Sequence, residues 1–292
     1  MKFLEFSEVG ARRWAWASLI ANSLIIVSGA LVRLTASGLG CPTWPQCTDE
    51  SYLPHGELGI HGAIEFGNRL ITFVVAIAVT MAVLAIWRSP ARTQRRLTLA
   101  IVIALGVPAQ IVIGGITVLS DLNPWIVGLH FVTSIIMVGL ATWLVFDLRD
   151  TYGQTDKLTT RLSLLAYVFL SASLYLGTVV TGAGPHAGDL DAVRNGLDPE
   201  TWSRLHSLAM WAFVATMLVV LWRLRKQSSR KQAIAVLGVT VAQGGIGYAQ
   251  YFTGLPVPLV ILHLAGATVL LIVMTWFLAA TVGAKSRIGA DA

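Results

Sequence analysis

Residues 110–130 read QIVIGGITVLSDLNPWIVGLH, and residues 243–263 read QGGIGYAQYFTGLPVPLVILH. The two stretches share one pattern. Gln110 precedes His130 by 20 positions, as Gln243 precedes His263. Gly114 and Gly247 fall in the same register, and a Thr-Trp pair follows each histidine by 12 positions, at Thr142-Trp143 and Thr275-Trp276. A repeat this regular in an apolar chain predicts two pseudo-symmetric helix bundles.

The surrounding composition fits a membrane. The chain of 292 residues is 55% hydrophobic and 12% charged, more apolar than a soluble domain of this length. Hydropathy predicts an all-α membrane protein with eight transmembrane helices of roughly 20 residues each. They are placed near 14–34, 61–87, 97–119, 124–146, 159–182, 202–222, 233–252 and 258–282. Four precede and four follow a polar linker, Asp147 to Arg161, where a duplication joint belongs. The division is therefore an N-terminal four-helix half, 1–150, and a C-terminal half, 151–292.

Charge sorts by side. Arg88, Arg92, Arg95 and Arg96 follow the second span, and Arg223, Arg225, Lys226, Arg230 and Lys231 follow the sixth, with no acid among them. The opposite linkers carry Asp49, Glu50 and Glu57, then Asp189, Asp191, Asp198 and Glu200 with Arg194. The positive-inside rule then puts both termini in the cytoplasm, and the expected location is the plasma membrane, as a multi-pass protein. The net charge of +6 is a topology signal and calls for no nucleic acid. The first span is too long for a signal-peptide core and has no cleavage pattern behind it, so it is expected to remain as an anchor. Small-residue pairs at Gly114-Gly115 and Gly244-Gly245 suit helix packing within one chain or in a homo-oligomer.

Intramembrane histidines are costly and point to function. His130, His206 and His263 each lie near the outer start of a span. At about 1.5 Å per residue, all three fall within roughly 10 Å of one boundary. Shared depth is what two imidazoles need to clamp one planar macrocycle, so haem iron is the expected ligand. The bland alternative is a helix-to-helix hydrogen bond. In the second span, His61, Glu65, Asn68 and Arg69 cluster, the first three on one face. A buried carboxylate is expensive unless paired, protonated or at work. Glu65 is therefore either a proton-transfer group or half of an ion pair with Arg69 or Arg33. Aligning Asn68 with His206 puts Ser203 opposite Glu65: one half looks chemical, the other looks like a holder. Arg33 and Arg204 are candidates for carboxylates such as haem propionates, against a reading as snorkelling anchors. His55 and His186 fall in outward loops, where His186 could lid the second site. Cys41 and Cys47, in CPTWPQC, form either a structural disulfide or a redox-active dithiol, in a compartment that permits disulfides.

The stretch Gly29-Ala-Leu-Val-Arg33-Leu-Thr-Ala-Ser-Gly-Leu-Gly-Cys41-Pro-Thr-Trp44-Pro-Gln-Cys47 closely resembles the first-span signature of haem A synthases. Gly177-Thr-Val-Val-Thr-Gly182 echoes it in the second half. The resemblance covers nearly the whole chain. It implies oxidation of the C8 methyl of haem O to a formyl group, giving haem A for terminal oxidases. It implies a haem b held by His206 and His263, haem O received in the first half with His130 as an axial ligand, and the family's glutamate at Glu65. Its loop cysteines correspond to Cys41 and Cys47. Its partners would be haem O, with the haem O synthase that makes it, and an electron donor that the sequence does not name. The sequence departs from the family at one point. Glu-x-x-His-Arg is here Glu65-Phe-Gly-Asn68-Arg69, and asparagine is a poor iron ligand. Either the first site is five-coordinate through His130, with an open face beside Glu65, or His61 replaces the missing histidine. A diheme electron carrier or a haem transporter is the rival reading.

Overall fold

A computed structural model describes residues 6–149 and 155–283. The described residues form eight long α-helices and no named strand. They are α1 (Glu8–Leu34), α2 (Gly59–Trp87), α3 (Gln94–Leu119), α4 (Pro124–Asp147), α5 (Lys157–Ala183), α6 (Pro199–Arg223), α7 (Arg230–Phe252) and α8 (Val257–Gly283). All eight are long and apolar enough to cross a bilayer. Helices satisfy their own backbone polar groups, which is what hydrocarbon demands of a spanning segment. Each expected span lies on one helix. The helices overrun the expected starts by up to six residues, chiefly at the ends that carry the basic residues.

Local chemistry sets the ends. Asn123 caps α4 by accepting from the Trp125 N–H, and Asp198 caps α6 by accepting from the Thr201 N–H. A proline follows each cap, at the first-turn position where its missing N–H costs nothing. Asp156 caps α5 through the N–H groups of Leu158 and Thr159, and Arg223 bonds it from the end of α6. Hydrogen bonds from the Thr159 hydroxyl and N–H, then Arg223, hold the exposed Asp156 carboxyl well below the usual carboxylate range. A depressed folded value means stabilisation that is full above the unfolded value and lost as pH falls toward the folded one. Asp156→Ala should therefore destabilise the detergent-solubilised protein at pH 7 by about 1 kcal/mol. That deficit should shrink below about pH 4, where the unfolded aspartate takes its proton. Thermal unfolding at pH 7 and pH 3 reads both.

Packing repeats with the sequence. Helices α1 to α4 close a ring in which α1 meets α2 and α4, and α3 meets both α2 and α4. Helices α5 to α8 close a second ring with the same order of neighbours. This is consistent with a duplicated four-helix unit. The polar joint between the halves includes residues 150–154, and both chain termini also lie outside the described residues.

The rings join chiefly where α4 and α1 pack on α8 and α4 packs on α5. At the basic end, Trp16 of α1 stacks on Trp276 of α8, with ring centroids 6.1 Å apart, and Phe146 of α4 meets Trp276 edge-on. The buried Asp147 receives Arg96 at 3.0 Å and Arg95 at 3.4 Å. At the opposite end, Arg33 of α1 donates to the carbonyls of His186 and Thr181 in the second half. There too the Gly38 N–H donates to the Gly188 carbonyl at 2.7 Å. A Cβ on Gly38 would meet that oxygen and the Leu122 side chain within 3 Å, so the contact requires glycine.

Candidate haem-binding site

One cavity of about 2290 Å³ runs through both rings and includes His130, His206 and His263 in its wall. Single-ligand pockets measure about 300–1,000 Å³, so this space accommodates more than one large ligand. Its lining is mainly apolar and includes Glu65, Asn68 and Arg69 in the first half.

The second half presents two imidazoles to each other. The rings of His206 on α6 and His263 on α8 have centroids 6.4 Å apart and planes crossing at 70°. Metal–nitrogen bonds of about 2.0 Å put two imidazoles on one ion at about this separation. Ligands on opposite faces tolerate any rotation about their common axis, so the crossing angle is no obstacle. No group of three or more His, Cys, Asp or Glu side chains among the described residues forms a metal site. An ion held by this pair must therefore bring its own equatorial donors, as porphyrin iron does.

Each ring has a seat and a backing. His206 Nδ1 donates to the Ser173 carbonyl at 2.7 Å, which leaves Nε2 with its lone pair for a metal. The Gln243 amide nitrogen lies 3.0 Å from His263 Nδ1. Gly177, Gly247 and Gly114 face the rings of His206, His263 and His130; a Cβ would come within 3.4, 3.0 and 3.2 Å of ring carbons. The glycines matched between the two stretches are thus the ones that make room for imidazoles. These residues and distances fit a haem held by His206 and His263. His130 fits a second one: it lines the cavity, and its Nδ1 is buried with no partner among the described residues.

The first half carries the acid. Glu65 is only 5% exposed although it sits on a spanning helix. One carboxylate oxygen accepts from the Cys41 N–H at 2.6 Å, and the other accepts two bonds from Arg69. Arg69 also donates to the carbonyls of Cys41, Thr43 and Gln46. The pair therefore pins the CPTWPQC loop, which Cys41 and Cys47 close as a disulfide. Trp44 from that loop lies against Gly115 of α3, one residue from the seat of His130, and lines the cavity. Glu65 is thus ion-paired with Arg69, and not with Arg33, at the cavity wall.

Other candidates fall differently. His61 is exposed and does not line the cavity; its Nδ1 lies 2.9 Å from the Ser37 hydroxyl. It shares a helix stripe with Asn68, but two turns, about 10 Å, carry it past the cavity rim. The expectation that it replaces the missing ligand is not met by its placement. Asn68 lines the cavity and accepts from the Ser28 hydroxyl at 2.7 Å. Arg33 and Arg204 both line the cavity. Arg33 spends two nitrogens on carbonyls of the other half, however, and Arg204 pairs with Glu200 in an exposed ion pair. His186 lies in the cavity wall and ties its loop to the Leu255 carbonyl at 3.0 Å. Sequence reasoning missed Ser173, Trp44 and the cavity-lining Arg194. It noted Gln243 only as a marker of the repeat.

The sequence profile of the COX15-CtaA family, described as cytochrome oxidase assembly protein, matches residues 12–275. The chain belongs to that family. One relative, from Lysinibacillus sphaericus (strain C3-41), is 35% identical over 140 residues, 46% of this chain and 45% of the relative. A Geobacillus kaustophilus (strain HTA426) relative is 30% identical over 146 residues, 48% of this chain and 45% of its own. A Staphylococcus epidermidis relative is 29% identical over 175 residues, 58% and 57% of the two chains. All three are named heme A synthase. The chain spans about half the length of the curated relatives it matches.

Proposed function

We propose that this protein is a haem A synthase, an oxidoreductase that converts the C8 methyl of haem O to a formyl group. The observation that carries the reading is the facing pair His206 and His263, 6.4 Å apart in the same cavity as His130 and Glu65. The names of the relatives point the same way.

In this reading the C-terminal half holds a haem b, and the N-terminal half takes haem O as substrate. The haem b supplies one-electron transfer from a donor outside the chain. His206 and His263 hold it, with Ser173 fixing the tautomer of His206. His130 orients the substrate from the α4 side. Asn68 stands where the family has histidine and, with its oxygen bonded to the Ser28 hydroxyl, would supply no second imidazole to the substrate. Trp44 roofs the first half and keeps water out. Glu65 faces the cavity and relays protons as dioxygen, reduced with the donor's electrons, oxidises the methyl in two rounds, each leaving one oxygen on the carbon and one as water; the gem-diol so formed loses water to give the aldehyde. Arg69 keeps the carboxylate in place and balances its charge. Residues 1–150 and 151–292 are then a transforming half and a storing half, oriented with both termini in the cytoplasm and the disulfide loop outside.

The asymmetry between halves favours chemistry over a diheme relay or a transporter, since a relay would want matched ligands and Asn68 is not matched to His206. Expression in cells that make haem O, followed by pigment extraction, tests the reading. Haem A is the expected product. Unchanged haem O beside two firmly bound haem b groups would establish the relay instead.

A further inference from the structure

The first half keeps the seat of an imidazole but carries no imidazole over it. Gly29 of α1 and Gly177 of α5 open the matched stretches Gly29-Ala-Leu-Val-Arg33 and Gly177-Thr-Val-Val-Thr181. In the second half the His206 ring covers Gly177, where a Cβ would meet it at 3.4 Å. In the first half a Cβ on Gly29 would meet no atom within 4 Å, Asn68 included, and Gly29 lines the cavity. Asn68 stands in register with His206 but is tied to α1: its Oδ1 accepts from the Ser28 hydroxyl at 2.7 Å. The second half has Leu176 in the register of Ser28, so this tie exists in one half only. Asn68 lines the cavity, and its Nδ2 makes no hydrogen bond among the described residues. Ring order places the recess. Helices α2 and α4 stand diagonally in the first ring, as α6 and α8 do in the second. His206 and His263 face each other across the second diagonal. By the same arrangement, Asn68 and the recess at Gly29 lie across the first ring from His130.

We propose that Gly29, Ser28 and Asn68 form a dioxygen recess in the first half: the glycine leaves the room, and Asn68, oriented by Ser28, offers its Nδ2–H to a small neutral ligand there. The proposal rests on the haem reading above and deepens it. The chemistry of the recess sets what it selects. Ile25, Ile26 and Ala30 of the same helix also line the cavity, and they are apolar. Glu65 and Arg69 cancel each other's charge, so nothing there draws an anion. A single N–H in apolar surroundings suits a small, weakly polar molecule, and donors and steric access on the open side of a haem decide whether oxygen binds. A chain with histidine at position 68 has to displace an imidazole before such a ligand enters. This chain does not.

The test uses the full-length protein in nanodiscs, carrying its second-half haem b and loaded with haem O under anaerobic conditions. A bis-imidazole haem b has no free face, so added ligands report the first half alone. The ferric wild type should show one high-spin haem per chain that turns low-spin on titration with imidazole. The ferrous wild type should bind CO at one haem per chain. Asn68→His should be low-spin with no imidazole added. If its ring leaves the site free no more than about a tenth of the time, CO should bind at least about tenfold more weakly. Gly29→Val should narrow the recess and weaken imidazole binding more than CO binding. Asn68→Leu and Ser28→Ala remove or turn the donor, so CO should still bind, with a shifted carbon–oxygen stretching frequency. An unchanged haem b spectrum shows that each variant has folded. A wild type whose haem O is low-spin and takes neither imidazole nor CO would overturn the inference and leave the haem reading standing. A CO stretch in Asn68→Leu identical to wild type would overturn the donor role of Asn68. A wild type that takes up no haem O would remove the substrate reading itself.

Discussion

His263→Ala is expected to strip the second half of its haem. The ring of His263 stands 6.4 Å from that of His206 across the cavity, and no third ligand cluster exists among the described residues to take its place. Loss of an outer-shell partner alone costs about 10–100-fold in affinity, so loss of the ligand itself should exceed that. Protein purified from haem-replete cells should lose its low-spin, bis-imidazole absorption and the haem b recovered per chain. His206→Ala should do the same. His130→Ala should spare that signal, because His130 is on α4, in the other ring of helices. The comparison matters more than any single variant, since a general folding defect would bleach all three. The seat gives an independent check. A Cβ on Gly247 would come within 3.0 Å of the His263 ring, so Gly247→Val should weaken haem b binding with both ligands intact. A His263→Ala protein with full low-spin absorption would sink the assignment of both ligands.

The sequence made the helices legible for a simple physical reason: hydrocarbon admits few solutions. A span must be long, apolar and internally hydrogen-bonded, and hydropathy reads all of that locally. The starts were read less well. Residues 8–13 carry three charges, at Glu8, Arg12 and Arg13, and Gln94 to Arg96 is polar, yet both continue their helices, because a helix does not end where the bilayer core does. The histidines were legible because they are rare in such segments, because the repeat paired His130 with His263, and because position along the spans put these two and His206 at one depth. What could not be read was every contact made across the chain. Ser173 is a serine on an apolar helix, and nothing local says that its carbonyl backs an imidazole 33 positions away. Arg33 read as a propionate ligand because arginine suits carboxylates. Its partners are carbonyls 148 and 153 positions away, which no spacing rule reaches. His61 and Asn68 show the converse limit: periodicity put them on one face correctly, but only the packing of the loop over the start of α2 shows that the cavity ends between them. Gln110 and Gln243 are identical in sequence register and differ in what they touch because of residues on another helix: Ser134 takes the Gln110 amide, while the Gln243 amide reaches the His263 ring.

Glu65→Gln separates the two roles that its geometry allows. As a clamp, Glu65 accepts the Cys41 N–H at 2.6 Å and holds Arg69, which in turn bonds three loop carbonyls. A glutamine keeps one acceptor oxygen, for Arg69 or for the Cys41 N–H but not both, while the three Arg69 bonds to loop carbonyls and the disulfide remain, so the loop should stay seated, though less firmly. As a proton acceptor, glutamine is useless. Well-placed acid–base groups contribute about 10²–10⁴-fold to rate, so Glu65→Gln should lower haem A formation by at least about 100-fold and accumulate haem O or its alcohol. Glu65→Ala should do so too, with an added cost. It leaves the Arg69 guanidinium, only 22% exposed, without its counter-charge, and breaking a buried pair in this way costs about 3–5 kcal/mol. Both variants remove that counter-charge, so both should unfold at lower temperature, the alanine variant by more because it also loses the acceptor oxygen that glutamine retains. If Glu65→Gln makes haem A at near the wild-type rate while Glu65→Ala makes none, Glu65 is a loop clamp and nothing more, and the proton must go elsewhere. Glu65 is the one carboxylate that the first half contributes to the cavity wall among the described residues, so the next acceptor would have to be solvent or the substrate's own propionates.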